Sequence, residues 1–165
     1  MTAPLITVGE AVSQARTNVF VQDAPITGVR RLVGVALGVN INAGSTDTAV
    51  TLLLLSGTNF VVRSVMVNNA VVTNGAIVTN AATTATAGLF TAVSGGGVAL
   101  VANAALSGLT ALTGSGSNLD MTMATQAVTL NQTTQVNLLY FRVGTAQGAS
   151  TSATADVYIW ADVLP

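Results

Sequence analysis

The chain has 165 residues, a formal net charge of −1, 7% charged residues and 50% hydrophobic residues, whereas soluble domains average about 25% charged residues. It contains no cysteine, histidine or lysine, which excludes disulfides, thiolate and histidine chemistry, and the lysine of a nucleotide-binding P-loop. The length suits one domain, and the scarcity of charge predicts burial in an assembly and argues against a phosphate-binding surface for nucleic acid.

Residues 1–27 are predicted to form an N-terminal arm, because they are bracketed by two prolines and precede the first strand pattern. Within them, TVGEAVSQARTNVF has apolar residues at helical spacing, and Thr7 and Glu10 have the spacing of a capping box. A glycine and a threonine weaken this helix, so an extended arm that reaches a neighbouring subunit is an equal alternative. Residues 28–165 are predicted to form the folded domain.

Eight segments rich in Val, Thr and other apolar residues are predicted to be β-strands. They are residues 31–41, 48–55, 60–68, 87–93, 98–102, 119–123, 134–143 and 156–164. Stretches rich in Gly, Asn and Ser separate them, and long helical patterns do not alternate with them. Short strands at this spacing predict an all-β protein with an antiparallel sandwich or barrel.

The stretch TAVSGGGVALVA places three consecutive glycines, residues 95–97, between two predicted strands. A loop that binds a phosphate needs a helix after the glycines, and a P-loop also has a Lys-Ser or Lys-Thr pair there. The residues that follow, VALVA, alternate as in a strand instead. We therefore interpret the glycines as a turn, with Asn74-Gly75 as a second turn of this kind.

The last predicted strand, DVYIWADVLP, has one wholly aliphatic side, which is predicted to face the core. That side carries Val157, Ile159, Ala161 and Val163. This orientation sends Tyr158, Trp160 and Asp162 outward. If the preceding strand is its neighbour in one sheet, Tyr140 and Arg142 share that outer face. Tyr, Trp and Arg dominate interface energetics, so these residues are the candidate interface; the alternative for Trp160 is a core position with its N–H bonded locally.

The other polar residues predict no catalytic centre. Arg30 and Arg31 are suited to a carboxylate or a phosphate, and a bond to a neighbouring subunit is the better interpretation because no further cations accompany them. The six carboxylates are scattered along the chain, and each is expected to be a solvated turn or cap residue. Asn118 and Asp120 are likewise interpreted as a turn cap rather than a cation site. No catalytic, cofactor-binding or metal-binding residue is predicted, and the protein is not expected to be an enzyme.

Three segments of the chain follow one another in the order found in a known family of proteins. They are FVVRSVMVNNA, then AGLFTAVSGGGVALVANAALSGLTAL, then LLYFRVGTAQGASTSATADVYIWADVLP. With this order, residues 60–165 resemble the small jelly-roll proteins that decorate or cement the capsids of tailed bacteriophages. The resemblance implies a jelly-roll sandwich, no enzymatic activity and no cofactor. It also implies a place on the outer surface of the virion, where the protein binds the major capsid protein and further copies of itself, as a trimer in preference to a dimer. No membrane partner is expected, because the apolar runs are far short of a spanning helix and aromatic residues make up only 4%. The near-neutral charge likewise predicts no nucleic-acid partner.

Two other functions remain open. The first is a receptor- or glycan-binding module of a phage tail fibre or adhesin, because Tyr158, Trp160 and Asp162 offer aromatic rings beside a polar group. The second is a metal enzyme of the cupin-like jelly-roll type, which the lack of histidine disfavours.

Overall fold

The computed structural model describes residues 30–79, 81–109, 118–124, 128–132 and 137–164. The predicted arm of residues 1–27, with its helical candidate, lies outside the described residues.

The described chain is made almost entirely of β-strands. They are β1 Arg30–Asn40, β2 Thr46–Thr51, β3 Asn59–Asn74, β4 Ile77–Thr79, β5 Thr86–Phe90, β6 Ala99–Ala105, β7 Asn118–Met121, β8 Leu130–Asn131, β9 Leu138–Thr145 and β10 Ser152–Val163. Helical structure in the described ranges is limited to one 3₁₀ turn at Val93–Gly95, and none of it is long or apolar enough to cross a membrane.

The strands form two antiparallel sheets. Sheet A has the order β1-β10-β3, with β4, β7 and β8 all paired to the far side of β3, and sheet B has the order β2-β9-β5-β6. When the two short strands β4 and β8 are set aside, consecutive strands lie in sheets A, B, A, B, B, A, B and A. This is the strand order of a jelly roll with eight strands. The predicted all-β sandwich of jelly-roll type is therefore confirmed.

The core lies between the two sheets and is built from one side of each long strand. In β10, every second residue from Ala153 to Val163 is buried, which confirms the predicted inward side of this strand. In β9, the buried residues are Leu139, Phe141 and Val143. Burial of each large side chain of this kind stabilises the fold by roughly 1.5–3 kcal/mol.

Strand β3 is longer than predicted, because two asparagines inside it do not end it. The prediction stopped the strand at Asn68, whereas pairing with β10 continues as far as Thr73 opposite Ser152. Asn69 has a positive φ of 52°, and its side-chain amide donates to Asp156 Oδ2 at 2.9 Å. The register shifts at this point, so a β-bulge at Asn69 carries the strand beyond its predicted end.

Strand β2 is shorter at its C-terminal end than the predicted strand of residues 48–55. After Thr51 the chain passes from sheet B to sheet A: Leu52 N–H donates to Asn137 O at 2.9 Å, and Leu53 N–H donates to Val33 O at 2.7 Å. The apolar residues 52–55, which were predicted to continue the strand, therefore lie beyond β2, where the chain crosses between the sheets. The short strands β4 and β8 were not predicted, because two or three residues are too few to show a period.

The three glycines form a turn between β5 and β6, as predicted. Thr91 N–H donates to Val98 O at 3.1 Å, and Gly96 N–H donates to Val93 O at 3.0 Å. Gly95 and Gly97 have φ values of 72° and 69°, which L-residues adopt at a cost. The predicted turn at Asn74-Gly75 is also confirmed, since it joins β3 to β4 and Gly75 has a φ of 59°.

We expect Gly97→Ala to lower the free energy of unfolding more than Gly57→Ala. Both glycines have positive φ, but a Cβ at Gly57 meets nothing within 4 Å, whereas a Cβ at Gly97 collides with Thr91 Oγ1 and lies 3.2 Å from Ala92 N. Gly57→Ala therefore measures the conformational cost alone, about 1–2 kcal/mol. Gly97→Ala should cost at least ~1 kcal/mol more, because Thr91 Oγ1 accepts the Val98 N–H at 2.8 Å and that bond is disturbed. Urea denaturation followed by circular dichroism measures both losses, and equal losses would contradict the expectation.

Candidate interaction surface

The outer face of sheet A carries a row of large side chains that we call the aromatic face. It consists of Leu32 and Val35 of β1, Met66 of β3, and Tyr158 and Trp160 of β10, all of them half-buried. Antiparallel register brings them together, because Trp160 lies opposite both Leu32 and Ser64, and Tyr158 lies opposite both Val35 and Met66. The predicted outward orientation of Tyr158 and Trp160 is therefore confirmed, and the core alternative for Trp160 is wrong.

A charged cluster borders one end of the aromatic face. Arg63 Nε lies 2.6 Å from Asp162 Oδ2, and Arg30 Nε lies 3.7 Å from Asp162 Oδ1. The side chain of Asp162 is 22% exposed, and those of Arg63 and Arg30 are 37% and 59% exposed. Two arginines share one carboxylate, so this end carries a net positive charge. Asp162 and Arg30 were sequence candidates, and the structure brings them together.

The other end of the aromatic face is acidic and rich in carboxamides. Asp156 Oδ1 accepts the Gly38 N–H at 2.7 Å, and Asp156 Oδ2 accepts the Asn69 side-chain amide at 2.9 Å. Asp156 also lies opposite Asn68, which lies opposite Asn118 of β7. Asp120 borders the face along β7, where its Oδ1 accepts the Ser64 hydroxyl at 2.7 Å. Carboxylates thus hold backbone and side-chain donors in place at the rim of the face.

Within the described ranges, charge is concentrated around one surface. The described ranges contain eight charged residues: Arg30, Arg31, Asp47, Arg63, Asp120, Arg142, Asp156 and Asp162. Five of the eight border the aromatic face, and the chain has no charged residue between Arg63 and Asp120. An apolar centre with a charged rim is the anatomy of a protein–protein interface, in which the desolvated centre supplies affinity and the rim supplies orientation.

Tyr140 and Arg142 lie on the opposite side of the molecule from the aromatic face. Strand β9, which carries them, pairs with β2 and β5 in sheet B and does not pair with β10. The condition under which they would share a face with Trp160 is therefore not met. Two strands that follow each other often pair, but in this sandwich the chain crosses from one sheet to the other between β9 and β10. Arg31 does not share a face with Arg30. It lies opposite the buried residue Ala161, whereas Arg30 lies opposite Asp162.

Arg142 is engaged within the molecule, beneath the glycine-rich turn. Its Nη1 lies 3.1 Å from Asp47 Oδ2, and both side chains are 18% exposed. The same carboxylate accepts the Ser94 N–H at 2.9 Å, and a Cβ at Gly95 would lie 3.4 Å from Arg142 Cδ. The ion pair therefore fastens the turn to the outer face of sheet B, where Phe90 is buried.

Four residues that shape the candidate surface were not sequence candidates. They are Leu32, Val35, Met66 and Arg63. The strands that carry them were predicted, but their sides were not assigned, because strand β1 contains two register shifts against β10 and β3 has both apolar and polar residues on each side. Within the described ranges, no group of three or more His, Cys, Asp or Glu side chains is placed to hold a metal ion.

A double-mutant cycle should give a larger coupling energy for Arg142 and Asp47 than for Arg63 and Asp162. Alanine replaces each residue singly and in pairs, and thermal or urea unfolding gives the free energies. We expect about 1–2 kcal/mol for the half-buried pair under the turn and below ~1 kcal/mol for the second pair, because Arg63 is more exposed to solvent. A larger coupling for Arg63 and Asp162 would contradict this ranking.

Comparison of the chain with protein-family models, with curated proteins and with solved structures gives no match. The surface is therefore interpreted from its own residues and contacts. These are an apolar, aromatic centre on the outer face of sheet A and a rim of charged side chains that bond to one another and to the backbone. Such a surface is suited to bind another protein.

Proposed function

We propose that the protein is a structural virion protein that decorates or cements a phage capsid on its outside and bridges subunits of the major capsid protein. The aromatic face is the observation that carries this proposal, because it places Trp160 and Tyr158 at the centre of a sheet with charged side chains around them. The resemblance of residues 60–165 to capsid decoration proteins supports it from the sequence. The jelly-roll order of the strands agrees with that resemblance.

The mechanism that follows is avidity. A charge-poor domain binds each capsid subunit through a modest interface, and copies that are joined to one another multiply these interfaces without any new contact. A standard interface buries roughly 800 Å² on each partner. Subunits of the shell are then held together from outside, and no reaction is catalysed.

Capsid binding tests this function. Heads assembled without the protein are mixed with the purified chain and sedimented, and the bound fraction is measured over a range of concentrations. We expect saturable binding, and at least a tenfold loss of apparent affinity for Trp160→Ala, because a large buried aromatic at the centre of an interface typically costs 2 kcal/mol or more. Tyr140→Ala, on the outer face of sheet B, is the matched control and should bind like the parent chain. Absence of binding by the parent chain would overturn the proposal.

A second candidate function is recognition of a glycan or receptor by a tail-fibre or adhesin module. The observation that favours it is the position of Trp160 next to the cluster of Asp162, Arg63 and Arg30, which places an aromatic ring beside hydrogen-bonding groups. A glycan array separates the two functions. Specific glycan binding that Trp160→Ala removes, without any binding to heads, would favour this second candidate.

A further inference from the structure

We propose that the partner that covers the aromatic face is the aromatic face of a second copy of this chain, related by a two-fold axis. This inference rests on the proposed function: pairing of two copies through this face is the linkage that multiplies their contacts with the capsid, so Trp160→Ala lowers the apparent affinity for heads by separating the copies. The axis lies between the two faces and runs across the strands. It therefore places β10 of one copy antiparallel to β10 of the other.

The charges around the face match this arrangement. One end carries Arg30 and Arg63 around Asp162, which sums to one positive charge, and the other end carries Asp156. A two-fold axis across the strands reverses the ends, so the arginine cluster of each copy lies over Asp156 of its partner. The axis generates this attraction twice, whereas it brings the two copies of Asp120, which borders the face along β7, near each other and so produces one repulsion at that edge. An axis along the strands would place like ends together and is disfavoured by the same charges.

The apolar residues match it as well. Trp160 and Tyr158 are separated by one residue of β10, on either side of Ile159, which is buried beneath them. An axis above Ile159 places Trp160 of each copy over Tyr158 of the other, with Leu32, Val35 and Met66 beside them. Offset aromatic pairs of this kind stabilise an interface beyond the burial of their area.

The size of the face predicts a moderate affinity. Four strands at ~4.8 Å spacing are about 19 Å wide, and the seven residues from Asp156 to Asp162 span six steps of ~3.4 Å, about 20 Å. A patch of roughly 400 Å² on each copy is below the standard interface of about 800 Å² per partner. Self-association in the micromolar range is therefore expected. The two-fold pair differs from the trimer that the family resemblance implies.

Sedimentation velocity of the full chain from about 1 to 200 μM, with fluorescence of Trp160, tests the proposal. Trp160 is the only tryptophan, so its emission reports the centre of the face. We expect the mass to rise to two copies while the emission shifts to shorter wavelength and becomes harder to quench with acrylamide. Tyr158→Arg should weaken the association at least tenfold and leave the emission independent of concentration. Val35→Asp, on the neighbouring strand, should do the same, and circular dichroism checks that both variants are folded.

The matched control is Tyr140→Arg, a half-buried outward tyrosine on the other sheet, which should associate like the parent chain. An assembly of two or three copies that Tyr158→Arg leaves intact would overturn the inference. A parent chain that stays monomeric at 200 μM would also overturn it. If that monomer still binds heads and Tyr158→Arg abolishes the binding, the inference fails while the proposed function stands. If the parent chain forms the two-fold pair but never binds heads, the inference stands while the function fails.

Discussion

The pairing of β10 with β1 on one side and β3 on the other is the constraint on which the rest of the structure depends. Strand β10 alternates without interruption between buried small or aliphatic residues and larger outward ones. Because the period of a strand is two, a shift of one residue would bury Trp160 and Asp162 and expose Ile159. The cost of burying a carboxylate and exposing the aliphatic row selects one register for the centre of sheet A.

That register has consequences on both sides of the sheet. Inward, it aligns Val157 and Ile159 with Val67 and Val65 of β3, which gives the core one continuous aliphatic layer. Outward, it aligns Tyr158 with Met66 and Val35, which creates the aromatic face. The stability of the domain and the surface proposed to bind partners therefore have the same origin, since both follow from the alternation of one central strand.

The outer faces of the two sheets differ in what covers them. On sheet B, the glycine-rich turn folds back over the strands, and the Arg142–Asp47 ion pair holds it through the Ser94 N–H. Phe90 also points outward on this sheet, but it is buried. Its ring packs against Gly88, which has no side chain; a Cβ at that position would lie only 2.8 Å from the ring. On sheet A, the charged side chains stand at the rim, and the large side chains between them remain half-buried. The few charged side chains therefore have different positions on the two sheets. On sheet B an ion pair holds a turn over the outer face, whereas on sheet A the charges surround an outer face that is suited to a partner.

The sequence alone determined the fold class, the inward side of β10, the two glycine turns and the outward position of Tyr158, Trp160 and Asp162, because these follow from local periodicity and from the φ values that only glycine adopts cheaply. The tertiary structure decided which strands are neighbours. It separated Tyr140 and Arg142 from Trp160, placed Arg63 beside Asp162, and carried β3 through a bulge at Asn69. These outcomes depend on contacts between residues far apart in the chain, and no local pattern of side chains encodes which strand lies beside which.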